Sequence, residues 1–212
     1  MTTLIINGGT IEDAFALSYI ERVKPDCILA ADRGMEFCYR NQIKPDVILG
    51  DYDSADKTIL EAFRRQSGIE WHQYQPEKDY TDSEIAIGKA MERNSSEIHI
   101  LGGTGTRLDH VLGNIQLLMQ PLAKDIPCFL IDSHNRIRLL KARTILQKSQ
   151  QFGKYVSLLP LTTEVTGVTL TGMKYPLQDA AFTSDNTLGV SNEIADDEEV
   201  IELENVILMM IE

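Results

Sequence analysis

Five short strand-like runs alternate with helical patterns through roughly the first 120 residues, and this alternation constrains the fold more than any other feature of the chain. The runs lie at residues 4–6, 27–31, 47–49, 69–74 and 97–101. Between them, Phe15, Tyr19, Ile20 and Val23 fit one helix face, as do Ile59, Leu60 and Phe63. Val111, Leu112, Ile115, Leu118 and Met119 give the clearest helical period. Strands and helices in strict alternation, joined by short connections, require a parallel sheet with helices on its faces.

After about Pro127 the helical period disappears. The segments CFLID, RIRLL, YVSLLPL, EVTGVTL, the GVS region, EEVIEL and VILMMI follow, punctuated by Gly, Thr, Ser and Asn. This pattern predicts a small β-sandwich. The expected organisation is therefore α/β: an N-terminal parallel-sheet catalytic domain over 1–132 and a smaller C-terminal β-sandwich over 133–212. The acidic stretch EIADDEEVIELE, at 193–204, reads as a solvated turn and strand edge.

Composition narrows the function. With 43% hydrophobic residues in 212, the chain can bury a core and is not disordered. No apolar run is long enough to span a bilayer, and MTTLIINGGT lacks the basic flank and long apolar core of a signal peptide. Cys27, Cys38 and Cys128 are widely spaced and form no CxxC, so neither a zinc site nor a disulfide framework is expected, and the setting expected is a reducing cytoplasm. The net charge of −12 argues against nucleic-acid partners. An anionic substrate would need a metal ion or a local basic group.

The chemistry is concentrated after the strands. The five runs lead into Asn7-Gly8-Gly9-Thr10, Asp32-Arg33-Gly34, Gly50-Asp51-Tyr52-Asp53-Ser54, Glu77-Lys78-Asp79-Tyr80-Thr81-Asp82 and Gly102-Gly103-Thr104-Gly105-Thr106-Arg107-Leu108-Asp109. In a parallel sheet these loops share the carboxyl edge, where open α/β proteins bind ligands. On an extended segment Asp51 and Asp53 point the same way, and their carboxylates suit Mg²⁺; alternatively Asp53 or Ser54 caps the helix starting near Asp56. Thr81 and Glu84 have capping-box spacing, which makes Asp82 either a first-turn helix carboxylate or a third metal ligand. The glycines of GGTGTRLDH permit close backbone approach to phosphate, and Arg107 offers a guanidinium fork. Asp109 reads also as an ordinary first-turn carboxylate, and His110 as a packed side chain. Neither GxxxxGK[ST] nor GxGxxG occurs.

In order and spacing, AADRG (30–34), PDVILGDYDS (45–54), KDYTDSEIAI (78–87), LGGTGTRLDHVLGNI (101–115), GVTLTGMKYPL (167–177) and GVSNEI (189–194) resemble the thiamine pyrophosphokinase family over nearly the whole chain. The resemblance implies a homodimer with thiamine bound between subunits, and pyrophosphoryl transfer from ATP to the thiamine hydroxyl, leaving AMP. It implies Asp51, Asp53 and Asp82 as Mg²⁺ and phosphate carboxylates. Asp32, Gly34, Asp79, Thr81, Gly103, Thr104 and Arg107 would lie on the ATP side, with Asp109 in the ATP and thiamine cleft. Tyr175, Ser191 and Asn192 would serve thiamine. Arg33 stands where the family often has a second glycine, and Tyr175 where some relatives have tryptophan. Two rival functions stay open at this point: a pyrophosphokinase for a pterin-like alcohol, and a non-catalytic ATP and Mg²⁺ sensor.

Overall fold

The computed structural model describes residues 1–53, 55–75, 79–141, 143–202 and 208–212. Ser54, Glu77, Lys78 and the first residues of VILMMI, all named above, lie outside them. The chain divides into two compact units, Met1–Ser133 and His134–Glu212.

The first unit has strands β1 (Thr2–Ile6), β2 (Cys27–Ala31), β3 (Val47–Gly50), β4 (Glu70–Gln73), β5 (Glu97–Leu101) and β6 (Cys128–Ile131). Its helices are α1 (Asp13–Val23), α2 (Gly34–Arg40), α3 (Lys57–Arg64), α4 (Asp82–Glu92), α5 (Leu108–Leu117) and α6 (Met119–Leu122). The strands run parallel in the order β4-β3-β2-β1-β5-β6. The CFLID run thus completes this parallel sheet rather than opening the all-β unit. Leu4, Ile5, Ile6, Leu29, Ala30, Val47, Ile48 and Leu49 are all within 1% of full burial, as expected where helices cover both faces of a parallel sheet. Successive connections leave β1 toward β2 on one side and toward β5 on the other. Such a reversal opens a crevice at the carboxyl ends of the strands.

The apolar stripe of α5 is only partly covered: Ile115 is buried, but Leu112 is 61% exposed and Leu108 just before it 73%. The helix forms because the period favours it, yet part of its apolar face is left exposed among the described residues. The cysteines behave as expected: all three are free and buried.

The second unit has strands β7 (Arg136–Leu140), β8 (Thr144–Gln147), β9 (Ser157–Pro160), β10 (Glu164–Thr171), β11 (Leu177–Thr183), β12 (Glu198–Glu202) and β13 (Leu208–Ile211). β13 pairs antiparallel with β7 and β9, and a second antiparallel sheet runs β11-β10-β12-β8. Both sheets contribute to one core, with Leu140, Leu158 and Met210 from the first and Leu146, Val168, Leu170, Phe182 and Ile201 from the second. The GVS region is a turn beside the isolated bridge between Val156 and Asn192. The acidic stretch is not wholly solvated. Glu199 pairs in register with Leu146, faces the interior and is 0% exposed. Strand alternation, not charge, decides its side, because a one-residue slip would turn Ile201 outward.

Candidate functional site

At the carboxyl ends of the parallel strands lies a cleft of about 540 Å³. All five expected loops reach it, through Asn7 to Gly9, Asp32 and Arg33, Asp51, Tyr80 to Ser83, and Gly102 to Arg107. The glycines have a packing reason before any ligand is considered. A Cβ on Gly9 would lie 2.3 Å from the Gly102 carbonyl oxygen, and one on Gly102, at φ 69°, would lie 2.4 Å from that of Asn7. Gly9 N–H donates to Gly102 O at 2.9 Å, so the loops after β1 and β5 are joined backbone to backbone. Gly34 is buried instead: its Cβ would collide with Ile6 O at 1.9 Å, and it does not line the cleft.

The carboxylates separate into two groups. Asp32, Asp51 and Asp82 line the cleft and are half-buried; Asp53 and Asp79 are exposed and do not line it. The extended-chain argument for Asp51 and Asp53 is overturned. Tyr52 between them has φ 65°, Asp53 N–H donates to Asp51 Oδ1 at 3.0 Å, and Ala55 N–H donates to Tyr52 O at 3.2 Å. The segment is a turn, and alternation does not apply. Tyr52 sets it: its ring is buried against Trp71, and its hydroxyl lies 3.1 Å from Ile48 O and 3.0 Å from His72 O. Burial, the largest influence, pushes the phenol up to about 12, so it remains a donor.

The capping alternatives also resolve. Asp56, not Asp53, caps α3, accepting from Thr58 N–H at 2.7 Å. Thr81 caps α4, accepting from Glu84 N–H at 3.2 Å. The reciprocal half of the box is absent among the described hydrogen bonds, and Glu84 Oε1 accepts from Gln120 instead. Since Thr81 does the capping, Asp82 in the first turn keeps its carboxylate at the cleft.

Arg107 is the N-cap residue of α5 and has no side-chain cap bond there. Its fork is held by Asp109, with Nη2 to Oδ2 at 2.7 Å and Nε to Oδ1 at 3.3 Å. The pair holds the Asp109 carboxyl below the usual range and the Arg107 guanidinium above its own. Arg33 is engaged in the same way by Glu36, at 3.1 Å. Thr104 and Gly103 line the cleft, and Asn114 Nδ2 donates to Gly103 O at 2.7 Å, fixing the loop from within the helix.

Three cleft residues escape sequence reasoning. Asn7 is buried and donates to Ser83 Oγ at 2.9 Å, while its Oδ1 has no hydrogen-bond partner among the described residues. Its place at the end of β1 in a switch-point fold is the signal that could have found it. Tyr80, 59% exposed, gave no signal of its own. His110, expected to be packed, is exposed and lines the cleft; the first turn of α5 projects it there rather than into the core.

In the second unit, Tyr175, Ser191 and Asn192 come together. Asn192 Oδ1 accepts from Tyr175 N–H at 3.0 Å, and its Nδ2 donates to Tyr175 O at 2.8 Å. Two of this amide's four hydrogen-bonding sites thus hold the Tyr175 segment, and Oδ1 also accepts from Glu193 N–H at 2.9 Å. The Tyr175 ring is 58% exposed, with Lys174 Nζ 5.5 Å from its centroid. Ser191 is exposed in the left-handed region, φ 60°, with its N–H donating to Ser157 Oγ at 3.1 Å.

The donor set fits a hard divalent cation. Asp32, Asp51 and Asp82, with the partnerless Asn7 Oδ1, offer only oxygen. Among the described residues no three His, Cys, Asp or Glu side chains form a metal cage by themselves. Mg²⁺ commonly takes one or two carboxylates and completes its shell with substrate phosphates, so a cage is not required.

The sequence matches the family model "Thiamin pyrophosphokinase, catalytic domain" over residues 22–130, and "Thiamin pyrophosphokinase, vitamin B1 binding domain" over 143–208. It is 35% identical to the thiamine pyrophosphokinase of Bacillus subtilis (strain 168), across 86% of this chain and 85% of that protein. The crystal structure of thiamine pyrophosphokinase from Bacillus subtilis matches with a TM-score of 0.88 at 31% identity, covering 100% of this chain and 98% of that one. That of thiamin pyrophosphokinase from Geobacillus thermodenitrificans matches with a TM-score of 0.84 at 28% identity, covering 100% and 96%. The likeness therefore includes both units and not the parallel sheet alone.

Proposed function

The chain belongs to the thiamin pyrophosphokinase family, and from that membership and the cleft we infer that it transfers a pyrophosphoryl group from ATP to the hydroxyl of thiamine, giving thiamine diphosphate and AMP. The observation that carries the reading is the convergence of three aspartates and a glycine-rich loop on one cleft at the switch point. Neither a pterin pyrophosphokinase nor a non-catalytic sensor has support, since both units match the thiamine family. Product analysis with ATP, Mg²⁺ and thiamine tests the reading. AMP and thiamine diphosphate are expected; ADP and thiamine monophosphate would show single-phosphoryl transfer and overturn it.

The thiamine oxygen attacks the β-phosphorus of ATP. An O–P bond forms there, the bond from that phosphorus to the α–β bridging oxygen breaks, and AMP departs with that oxygen. The hydroxyl proton passes to a rim carboxylate. Little covalent chemistry falls to the protein, so positioning and charge stabilisation carry the rate. Asp51 and Asp82 would hold Mg²⁺, with Asp53 beside them and Asn7 Oδ1 as a further oxygen. When bound, Mg²⁺ neutralises phosphate charge and draws electron density from the attacked phosphorus. The N–H groups of the Gly102 to Gly105 loop and the start of α5 face the polyphosphate, and Arg107 adds a fork. Asp32, Thr81, Gly103 and Thr104 shape the nucleotide side. Gly34 and Asp79 act from outside the lining, Gly34 by letting α2 pack against β1.

Thiamine carries a permanent positive charge on its thiazolium ring, which suits carboxylates and aromatic faces. Asp109 serves it in one subunit. Tyr175 and Ser191 serve it from the second, with Asn192 holding Tyr175 in place. The functional form is a homodimer with thiamine between subunits, in keeping with the apolar side chains of Leu108 and Leu112 that α5 leaves exposed. The enzyme works in the cytoplasm; no helix among the described residues is long and apolar enough to cross a membrane.

A further inference from the structure

A second cavity, of about 440 Å³, adjoins the cleft and shares Thr81, Ser83, His110 and Asn114 with it. Arg107 lines only the first cavity, and Asp109 only the second. Their side chains nevertheless meet in the two-point ion pair at 2.7 and 3.3 Å, and both are about two-thirds exposed, at 69% and 66%. Before any ligand arrives, a cation of one cavity and an anion of the other are spent on each other; Arg33 also lines the first and Glu84 the second, each held by another partner.

On the reading above, on which this inference rests, the first cavity receives a polyanion and the second a cation. We propose that the Arg107–Asp109 pair is a charge latch that couples the two substrates: nucleotide phosphate takes the Arg107 fork, and the released Asp109 carboxylate turns to the thiazolium ring. The exchange is feasible because an exposed ion pair contributes little, whereas a guanidinium fork on phosphate inside a cleft is among the stronger charge-assisted contacts. Release of Asp109 also raises the negative charge facing the second cavity just when a cation must enter. Coupling of this kind is reciprocal, so thiamine strengthens nucleotide binding by the same factor. Arg107 then acts twice, on phosphate directly and on thiamine as a positioning residue.

The test is thiamine binding by calorimetry to the whole enzyme, without nucleotide and with saturating Mg²⁺ and α,β-methylene-ATP, whose α–β bridge cannot be cleaved by the transfer. In the unaltered protein thiamine should bind about fivefold more tightly with the analogue present, the limit set by an exposed pair. Arg107→Met should bind thiamine at the tighter level without nucleotide and gain nothing from the analogue. Retention of the full gain in Arg107→Met, or no gain in the unaltered protein, overturns the latch. Asp109→Asn separates the latch from the reading beneath it. Weaker thiamine binding with the nucleotide gain lost supports both. Weaker binding with the gain retained overturns the latch alone. Thiamine affinity unchanged from the unaltered protein with the analogue present removes Asp109 from the thiamine side and overturns both. The two side chains are exposed, so neither substitution threatens the fold.

Discussion

The two units of this protein place their charges in opposite ways. Among the described residues of Met1–Ser133, no Asp, Glu, Lys or Arg is buried; its sheet is covered on both faces, and charge collects where the strands end. In His134–Glu212, by contrast, Glu199 and Glu212 lie inside. Glu212 is joined to Arg136 at 2.6 Å, whereas neither carboxyl oxygen of Glu199 has a hydrogen-bond partner among the described residues. A doubly covered parallel sheet expels polar groups to its loops and so builds a polar cleft as a by-product of its core. Facing antiparallel sheets have no such outlet, and a carboxyl at an inward position must be accommodated or neutralised. Burial first, then Glu212, pushes Glu199 up to about 8, with Arg138 opposing. Glu199 is therefore mainly protonated in the folded protein at neutral pH.

This contrast can be broken by substitution. The largest effect is expected for Asp51→Asn, which should lower turnover about a thousandfold or more while the melting temperature stays within a degree or two. Asp53→Asn, outside the cleft lining, should lose roughly tenfold at most. Equal losses at both positions would show that the cleft does not sort the aspartates as the geometry indicates. In the second unit the corresponding substitution should act on stability alone. The folded-state value of Glu199 lies above the unfolded one, so the folded protein binds the extra proton between about pH 4.5 and 8. Stability should fall as pH rises through that window and level off above it. Glu199→Gln should flatten the slope and add about 3 kcal/mol at pH 8. Denaturant melts across pH, with kcat followed in parallel, check this; a slope unchanged in the variant would place the titration elsewhere. A further effect concerns the surface of the second unit. Tyr175→Ala should raise the KM for thiamine about fivefold to thirtyfold by removing an aromatic face, with the KM for ATP unchanged. A parallel rise in both would detach Tyr175 from thiamine.

How far the sequence could be read depended on the kind of signal. The parallel unit was legible because its strands are continuous apolar runs and its helices carry period; 27–31 and 97–101 agree with β2 and β5 to the residue. In the second unit β8 and β11 escaped, since TILQ and LQDAAFT carry weak alternation and depend on their partners for pairing. The acidic stretch misled because composition says nothing about which side of a strand faces inward. At the site, Asp51 and Asp82 were visible as carboxylates after strands, but the orientation of Asp53 was not. It depends on Tyr52 adopting positive φ to seat its ring on Trp71, a contact between β4 and the turn after β3. Asn7 and His110 were hidden for the same reason: each is ordinary in its own segment and matters only where two loops meet.

The sequence by itself determined the strand–helix alternation, the change of pattern near residue 130 and the set of loops that line the cleft, because all of these follow from local period and punctuation. Only the tertiary structure decided which aspartates share a cleft, that Arg107 and Asp109 hold each other between two cavities, and that Glu199 faces inward. The inward Glu199 depends on pairing register and the shared cleft on the approach of Gly9 to Gly102, each between residues far apart in the chain; the Arg107–Asp109 pair is local, and the fold decides only that a cavity lies on either side of it. The loop that most resembled a phosphate cradle owes its glycines first to that backbone contact, and its opening toward the cleft follows from it.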